Sequence, residues 1–168
     1  MAKIMLPYQL NLEATRDVVR QIESTIQHNR WPREIIFDFS NLNFCRPSGV
    51  VFLSNLIHWL IEKRKITVDF EGINTQKQSI IYLDDSEFFL QHTGNKFNNN
   101  SGARNSTIPY TQITHERSHN WLENELIPWI PIKTNYSVRA LTDFRICLSE
   151  LFNNIDDHSS KKIGGIFA

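Results

Sequence analysis

A strand, a turn and the start of a helix follow one another in Glu34-Ile35-Ile36-Phe37-Asp38-Phe39-Ser40-Asn41-Leu42-Asn43-Phe44-Cys45-Arg46-Pro47-Ser48-Gly49-Val50-Val51-Phe52-Leu53. The apolar run at 34–39 predicts a buried strand, and the polar pair at 40–41 predicts the turn that ends it. Pro47 marks a helix start, because proline lacks an N–H that the first helical turn would leave unpaired anyway. The helix then has a wide apolar face, made of Val50, Leu53, Leu56, Ile57, Leu60 and Ile61.

Similar alternation surrounds this stretch. An apolar segment at 4–6 predicts an edge strand, and apolar residues at helical spacing predict a helix over 14–28. A further strand is expected at 66–70 and a short helix at 76–83. Strands alternating with helices favour a mostly parallel or mixed sheet with right-handed crossovers. Residues 1–91 are therefore predicted to form a small α/β domain.

The second part of the chain begins after a change in composition. Residues 92–107 are rich in Gly, Asn and Ser, which predicts a polar linker. In the remaining segment, 108–168, an amphipathic helix is expected at 119–127, stopped by Pro128 and Pro131. A last helix is expected at 138–157.

Bulk properties exclude some classes of protein. The 168 residues contain 18 Lys plus Arg and 18 Asp plus Glu, a formal net charge of zero. This balance argues against a partner such as nucleic acid or an anionic membrane that is held by long-range charge. No apolar run is long enough for a signal peptide or a membrane span, so a cytoplasmic location is predicted. Cys45 and Cys147 are expected to be small core residues, not a disulfide or a metal site.

The last helix has two faces. At ~100° per residue, one apolar stripe is predicted to face the core; it consists of Leu141, Phe144, Leu148, Leu151 and Ile155. Glu150, Asn154 and His158 follow at four-residue spacing along the edge of that stripe. With the last helix, expected at 138–157, named α7, these three residues are called the α7 ridge. A glutamate can accept a proton from water, and an asparagine oxygen can ligate Mg²⁺. The same spacing is also typical of a solvated helix face, so both interpretations stay open.

The stretch Glu150-Leu151-Phe152-Asn153-Asn154-Ile155-Asp156-Asp157-His158-Ser159 resembles the N-box, E-x-x-x-N-x-x-x-H, of the GHKL superfamily of ATPases, which includes gyrase, chaperone, mismatch-repair and histidine-kinase members. The resemblance implies ATP and Mg²⁺ as cofactors. It makes Asn154 the Mg²⁺ ligand, Glu150 the candidate catalytic base and His158 a residue on the phosphate side. A strand after the N-box is also implied, at the run Gly164-Gly165-Ile166-Phe167-Ala168.

The DxGxG motif and the Gly-rich lid of that superfamily do not occur in these 168 residues. Residues 108–168 are therefore expected to form an incomplete α/β segment of the Bergerat type, which holds nucleotide poorly by itself because adenine recognition and phosphate burial are not supplied. Three explanations are open: a fragment of a longer protein, a degenerate remnant, or half of a site that another polypeptide completes.

Residues 30 to 85 resemble the STAS domain, the fold of anti-sigma-factor antagonists. In that family a serine before a glycine at a helix start accepts phosphate from a GHKL kinase, and Ser48 matches this serine. Arg46 and Pro47 stand where the family has Asp and Ser. A helix N-terminus stabilises a phosphate through its free N–H groups, although serine at such a position is also a common helix cap.

One competing motif remains. His115-Glu116-Arg117-Ser118-His119 matches H-E-x-x-H, the zinc-binding signature of metallopeptidases, but the sequence offers no third-ligand segment. The favoured interpretation is a cytoplasmic signalling protein that combines a STAS-like domain with part of a GHKL ATPase and acts with a protein partner or by self-association. The alternatives are a non-catalytic protein-interaction module and, third, a zinc peptidase.

Overall fold

A computed structural model describes residues 1–26, 28, 30–105, 107–158 and 166–167, without the side chains of residues 115, 156–158, 166 and 167. The chain forms two compact units, Met1–Gly102 (unit 1) and Ala103–Ala168 (unit 2). The division between the units falls inside the range 92–107 whose composition predicts a linker.

Unit 1 is an α/β unit, as predicted. Its elements are β1 (Ala2–Met5), β2 (Gln9–Leu10), α1 (Thr15–Thr25), β3 (Glu34–Asp38), β4 (Phe44–Cys45), α2 (Pro47–Arg64), β5 (Thr67–Glu71), α3 (Gln78–Asp85) and α4 (Phe88–Thr93). One parallel sheet has the strand order β1-β3-β5, with Phe37 opposite Ile4 on one side and Phe70 on the other. A second parallel pair joins β2 to β4. The parallel pairing of all these strands confirms the expected sheet type.

The helix α4 was not predicted. Its residues Phe88 and Phe89 are fully buried, and both rings pack against Phe39 and Phe70, with centroids 5.5 to 6.3 Å apart. Six residues are too few for a periodic pattern to show in the sequence. Aromatic packing in the core therefore creates this helix, because local propensity alone would not hold so short an element.

The residues just after α4 are held to the rest of unit 1 by hydrogen bonds and an ion pair. The buried carboxylate of Asp84 accepts hydrogen bonds from the backbone N–H groups of Phe97, at 3.0 Å, and Asn98, at 2.9 Å. Lys96 forms an ion pair with Glu87 at 3.1 Å. Among the described residues of the polar range, those after Thr93 form no helix or strand, but the first of them are held by specific hydrogen bonds.

Unit 2 is mainly helical. Its elements are β6 (Gln112–Ile113), α5 (His115–Trp121), a π-helical turn (Leu122–Leu126), α6 (Ile127–Lys133), a 3₁₀ turn (Val138–Leu141), α7 (Thr142–His158) and β7 (Ile166–Phe167). The strands β6 and β7 pair antiparallel, with Ile113 opposite Ile166. A small apolar core is formed by Ile113, Trp121, Leu122, Ile127, Leu141 and Phe152.

The predicted helix stop at Pro128 and Pro131 was wrong. Helical backbone continues from α5 through the π-helical turn into α6, and Pro131 lies inside α6. A π-helical turn widens the backbone just before Pro128, which relieves the clash between a proline ring and the preceding turn of helix. Pro128 also lies in the first turn of α6. The helix ends only at Lys133, two residues after the second proline.

The buried face of α7 differs in part from the predicted stripe. Leu141 and Phe152 are buried, whereas Phe144 is 43% and Leu151 is 52% exposed. Cys147 is also exposed, so its predicted core location was wrong, while that of Cys45 is confirmed. Only one flank of α7 meets other helices of unit 2, and the face centred on Phe152 occupies that contact.

None of the described helices combines the length and apolarity needed to cross a membrane.

Gly49 provides a test of the packing in unit 1. A Cβ atom on this residue would lie 2.5 Å from the backbone oxygen of Leu10, whereas one on Gly102 would meet nothing within 4 Å. We expect Gly49→Ala to lower the free energy of unfolding by about 1–3 kcal/mol, because backbone must move to admit the methyl group. Gly102→Ala should change it by less than about 0.5 kcal/mol. Urea unfolding followed by circular dichroism measures both, and equal stability of the two variants would contradict the close contact.

Candidate functional site

The α7 ridge lies on the exposed side of its helix. Glu150 and Asn154 are both exposed and are separated by one helical turn, so their side chains lie next to each other. Their functional groups are a carboxylate and an amide oxygen. The backbone of His158 ends α7, but its side chain lies outside the described residues. The structure thus brings together two of the three residues that the motif singles out.

Contacts with α5 hold the other side of α7. His119 Nε2 lies 3.1 Å from Asn153 Oδ1, and the His119 ring meets the Phe152 ring edge-on at 6.4 Å. Arg145 forms an ion pair with Glu123 at 3.4 Å. Asn154 follows Asn153 by one residue and is therefore turned ~100° away from α5. This packing leaves the ridge accessible to a ligand.

The chain after the ridge returns to the core of unit 2. Residues 159–165 lie outside the described part, and β7 then pairs with β6, so a strand is present where one was predicted. The pair is short, with Gln112 opposite Phe167 and Ile113 opposite Ile166.

Asn154 and Glu150 fit one wall of a Mg²⁺-nucleotide site. Mg²⁺ takes oxygen ligands, usually from one or two protein groups together with phosphates and waters, and an exposed amide oxygen is suited to that role. Among the side chains that the structure describes, no group of three or more His, Cys, Asp or Glu residues is arranged to hold a metal ion. The phosphates of the nucleotide would have to supply most of the remaining ligands.

The H-E-x-x-H motif occupies the start of α5. The side chain of His115 lies outside the described residues, and one ring nitrogen of His119 is engaged with Asn153. Glu116 is exposed. His119 therefore helps to hold α5 against α7, which is a structural role for one of the two histidines of the motif.

Ser48 is exposed as the second residue of α2. The residue at the N-cap is Arg46, and no side chain caps this helix, so the alternative role of Ser48 as the cap was wrong. The backbone here is firmly placed: Arg46 N–H donates to the Leu10 carbonyl at 2.8 Å, and Gly49 packs against the same carbonyl. A rigid helix start with an unused hydroxyl is thus exposed to solvent.

An ion cluster around the buried carboxylate of Asp38 crosses the parallel sheet, and sequence patterns did not indicate it. Asp38 at the end of β3 pairs with Lys3 of β1 at 2.8 Å, and Lys3 also pairs with Glu71 of β5. Ser40 N–H donates to Asp38 Oδ1 at 2.8 Å. Burial alone would raise the pKa of Asp38, but the hydrogen bonds from Lys3 and Ser40 outweigh it and lower the pKa. Because one lysine bridges carboxylates on two other strands, the cluster ties three neighbouring strands together and is suited to a structural role.

A second missed feature is the pair formed by His92 and Ser54. His92 Nε2 lies 3.0 Å from Ser54 Oγ, with the Phe88 ring 4.7 Å away. Burial, with repulsion from His58 as a smaller cause, lowers the pKa of His92 to about 4. Ser54 is fully buried, so its hydroxyl is out of reach of a substrate. The pair joins α4 to α2 with a neutral imidazole.

No protein-family model, no curated protein and no solved structure matches this chain.

The low pKa of His92 predicts a pH dependence of stability. The unfolded chain takes up a proton near pH 6.5 and the folded protein only near pH 4, so the stabilisation is complete above 6.5 and is lost as the pH falls towards 4. The loss over this window is on the order of 3 kcal/mol. In His92→Leu the apolar contacts remain and Ser54 can bond a carbonyl of its own helix. Urea unfolding at several pH values should show a shallower decline for His92→Leu; parallel declines would contradict the assignment.

Proposed function

We propose that this protein is a signalling regulator in which unit 1 is a STAS-like interaction domain and unit 2 contributes the Mg²⁺-ligand helix of a GHKL-type ATP site. In this proposal Asn154 ligates Mg²⁺, Glu150 is the catalytic base, and His158 acts on the phosphate side. Adenine recognition and the phosphate lid come from sequence other than these 168 residues.

The exposed pair Glu150 and Asn154 carries the proposal. The N-box resemblance implies a strand after the helix, and α7 is followed by β7, which pairs with β6 of the same unit. The exposed apolar residues Phe144 and Leu151 lie on the same helix, near the ridge. A polypeptide that covered them would exclude water from the site next to Asn154. Water exclusion strengthens the electrostatic interactions between a metal ion and its ligands.

Unit 1 supports the regulatory half of the proposal. Its parallel sheet places the start of α2, with exposed Ser48, at a fixed position beside Leu10. Two exposed aromatic side chains lie on the neighbouring segments: Tyr8 directly precedes β2, and Phe44 is the first residue of β4. Surface aromatic residues are enriched at protein interfaces, and this favours a protein partner for unit 1. A non-catalytic interaction module is the alternative that the same surface supports if no nucleotide binds.

Binding of Mn²⁺–ATP tests the role of Asn154. Mn²⁺ accepts the oxygen ligands of Mg²⁺ and broadens NMR signals of nearby nuclei. We expect selective broadening of backbone amide signals around residues 150–154, with weak, millimolar affinity because one wall of a site gives few contacts. The broadening should disappear in Asn154→Ala and persist in the control Asn124→Ala, which removes another exposed asparagine of unit 2.

Two results would overturn the assignment. One is identical broadening in wild type and Asn154→Ala, since the metal would then be bound elsewhere. The other is tight, micromolar binding that does not depend on Asn154, because a complete nucleotide site would then exist away from α7.

A negative charge at Ser48 should stabilise α2. The first turn of this helix contains no acidic residue, so the partial positive charge of its N-terminus is unmatched. We expect Ser48→Asp to be more stable than the neutral, isosteric Ser48→Asn by about 0.3–1 kcal/mol at low salt, and the difference to shrink in high salt. Thermal unfolding of the two variants measures it. Equal melting temperatures at low salt would mean that the helix N-terminus does not stabilise a negative charge at Ser48, and this would contradict the electrostatic basis for a phosphate there.

A further inference from the structure

A groove between α1 and α2 forms a surface feature separate from the α7 ridge. Thr15, Arg16, Val19 and Arg20 of α1 and Phe52 of α2 line it, and its volume is about 390 Å³. We call this feature the α1–α2 groove.

The floor of the groove is apolar and its rim is basic. Val19 and Phe52 are half-buried, whereas Arg16 and Arg20, one helical turn apart, are exposed. Arg20 contacts Asp17 at 3.5 Å, with both side chains more than 65% exposed, an arrangement that adds little to stability. Within the described part of the chain, no ion pair involves Arg16. Two cations thus flank an apolar depression without strong partners of their own.

The walls of the groove are rigid. The first turn of α1 is anchored where Thr15 N–H donates to Asn11 O and the Thr15 hydroxyl donates to Leu12 O at 2.6 Å. Phe52 lies one turn beyond Ser48 on α2, whose start is fixed against Leu10. A preformed groove costs a ligand little conformational ordering, which favours binding.

We propose that the α1–α2 groove binds an acidic peptide segment of a partner protein, which inserts apolar side chains between the two helices and pairs its carboxylates with Arg16 and Arg20. An inorganic anion alone would leave the apolar floor uncovered. Nucleic acid would need a longer basic track than two arginines on a chain of zero net charge. The inference adds a partner for unit 1 to the proposed regulatory role, and it holds whether or not α7 belongs to an ATP site.

Fluorescence anisotropy with a short labelled peptide of Glu and Leu residues tests this proposal. The full chain should bind it, with affinity falling as salt rises. The double variant Arg16→Glu/Arg20→Glu should bind at least about tenfold more weakly. The control Arg33→Glu reverses another exposed arginine of unit 1 and should bind like wild type. Val19→Thr, which changes the polarity of the floor at nearly constant shape, should weaken binding without altering the circular dichroism spectrum.

The outcomes separate the possibilities. A matched Gln and Leu peptide should bind much more weakly, because it cannot pair with the arginines. Any of three results would overturn the proposal. These are a wild type that does not bind the peptide, an Arg33→Glu variant that loses as much affinity as the double variant, and a single-stranded oligonucleotide that binds more tightly than the peptide. Since Asn154→Ala leaves the groove intact, peptide binding by that variant distinguishes failure of the groove from failure of the ATP-site assignment.

Discussion

The close contact between Gly49 and the Leu10 carbonyl fixes the start of α2 in unit 1. It allows the start of α2 to lie against the short β2 strand, and Arg46 N–H donates to the same carbonyl. Any side chain at position 49 would push α2 outwards. The positions of Ser48 and Phe52 depend on this backbone approach, because both residues lie on the same continuous helix of 18 residues.

The rest of unit 1 keeps that contact in place. The central strand β3 is paired on both sides, its apolar residues contribute to an aromatic core, and its last residue, Asp38, is tied to Lys3. Helix α4 completes the core from the far end of the unit, with His92 bonded to Ser54 of α2. The start and the middle of α2 are thus held by contacts with other elements, so the surface residues between these two points have fixed positions relative to one another.

Unit 2 lacks the three-stranded sheet of unit 1 among its described residues, and a few apolar residues hold its helices together. The core around Trp121 and Phe152 uses one face of α7 and leaves Phe144, Cys147 and Leu151 exposed. The ridge residues Glu150 and Asn154 border this uncovered apolar surface. Under the proposed function, the buried face holds the helix in its own unit, and the exposed apolar residues would contact the segment that completes the site.

Local sequence by itself determined the type and order of most elements. Apolar runs bounded by turn residues located β3 and β5, Pro47 located the start of α2, and four-residue spacing placed Glu150 and Asn154 on one ridge. These features depend on periodicity and on the chemistry of single residues, both of which are legible along the chain. Only the tertiary structure decided which face of α7 is buried, that helical backbone passes through Pro128 and Pro131, that Phe88 and Phe89 form a helix, and that Arg46, not Ser48, occupies the N-cap. Each of these depends on which partner a residue meets across the fold, and periodicity along one element contains no information about the partner.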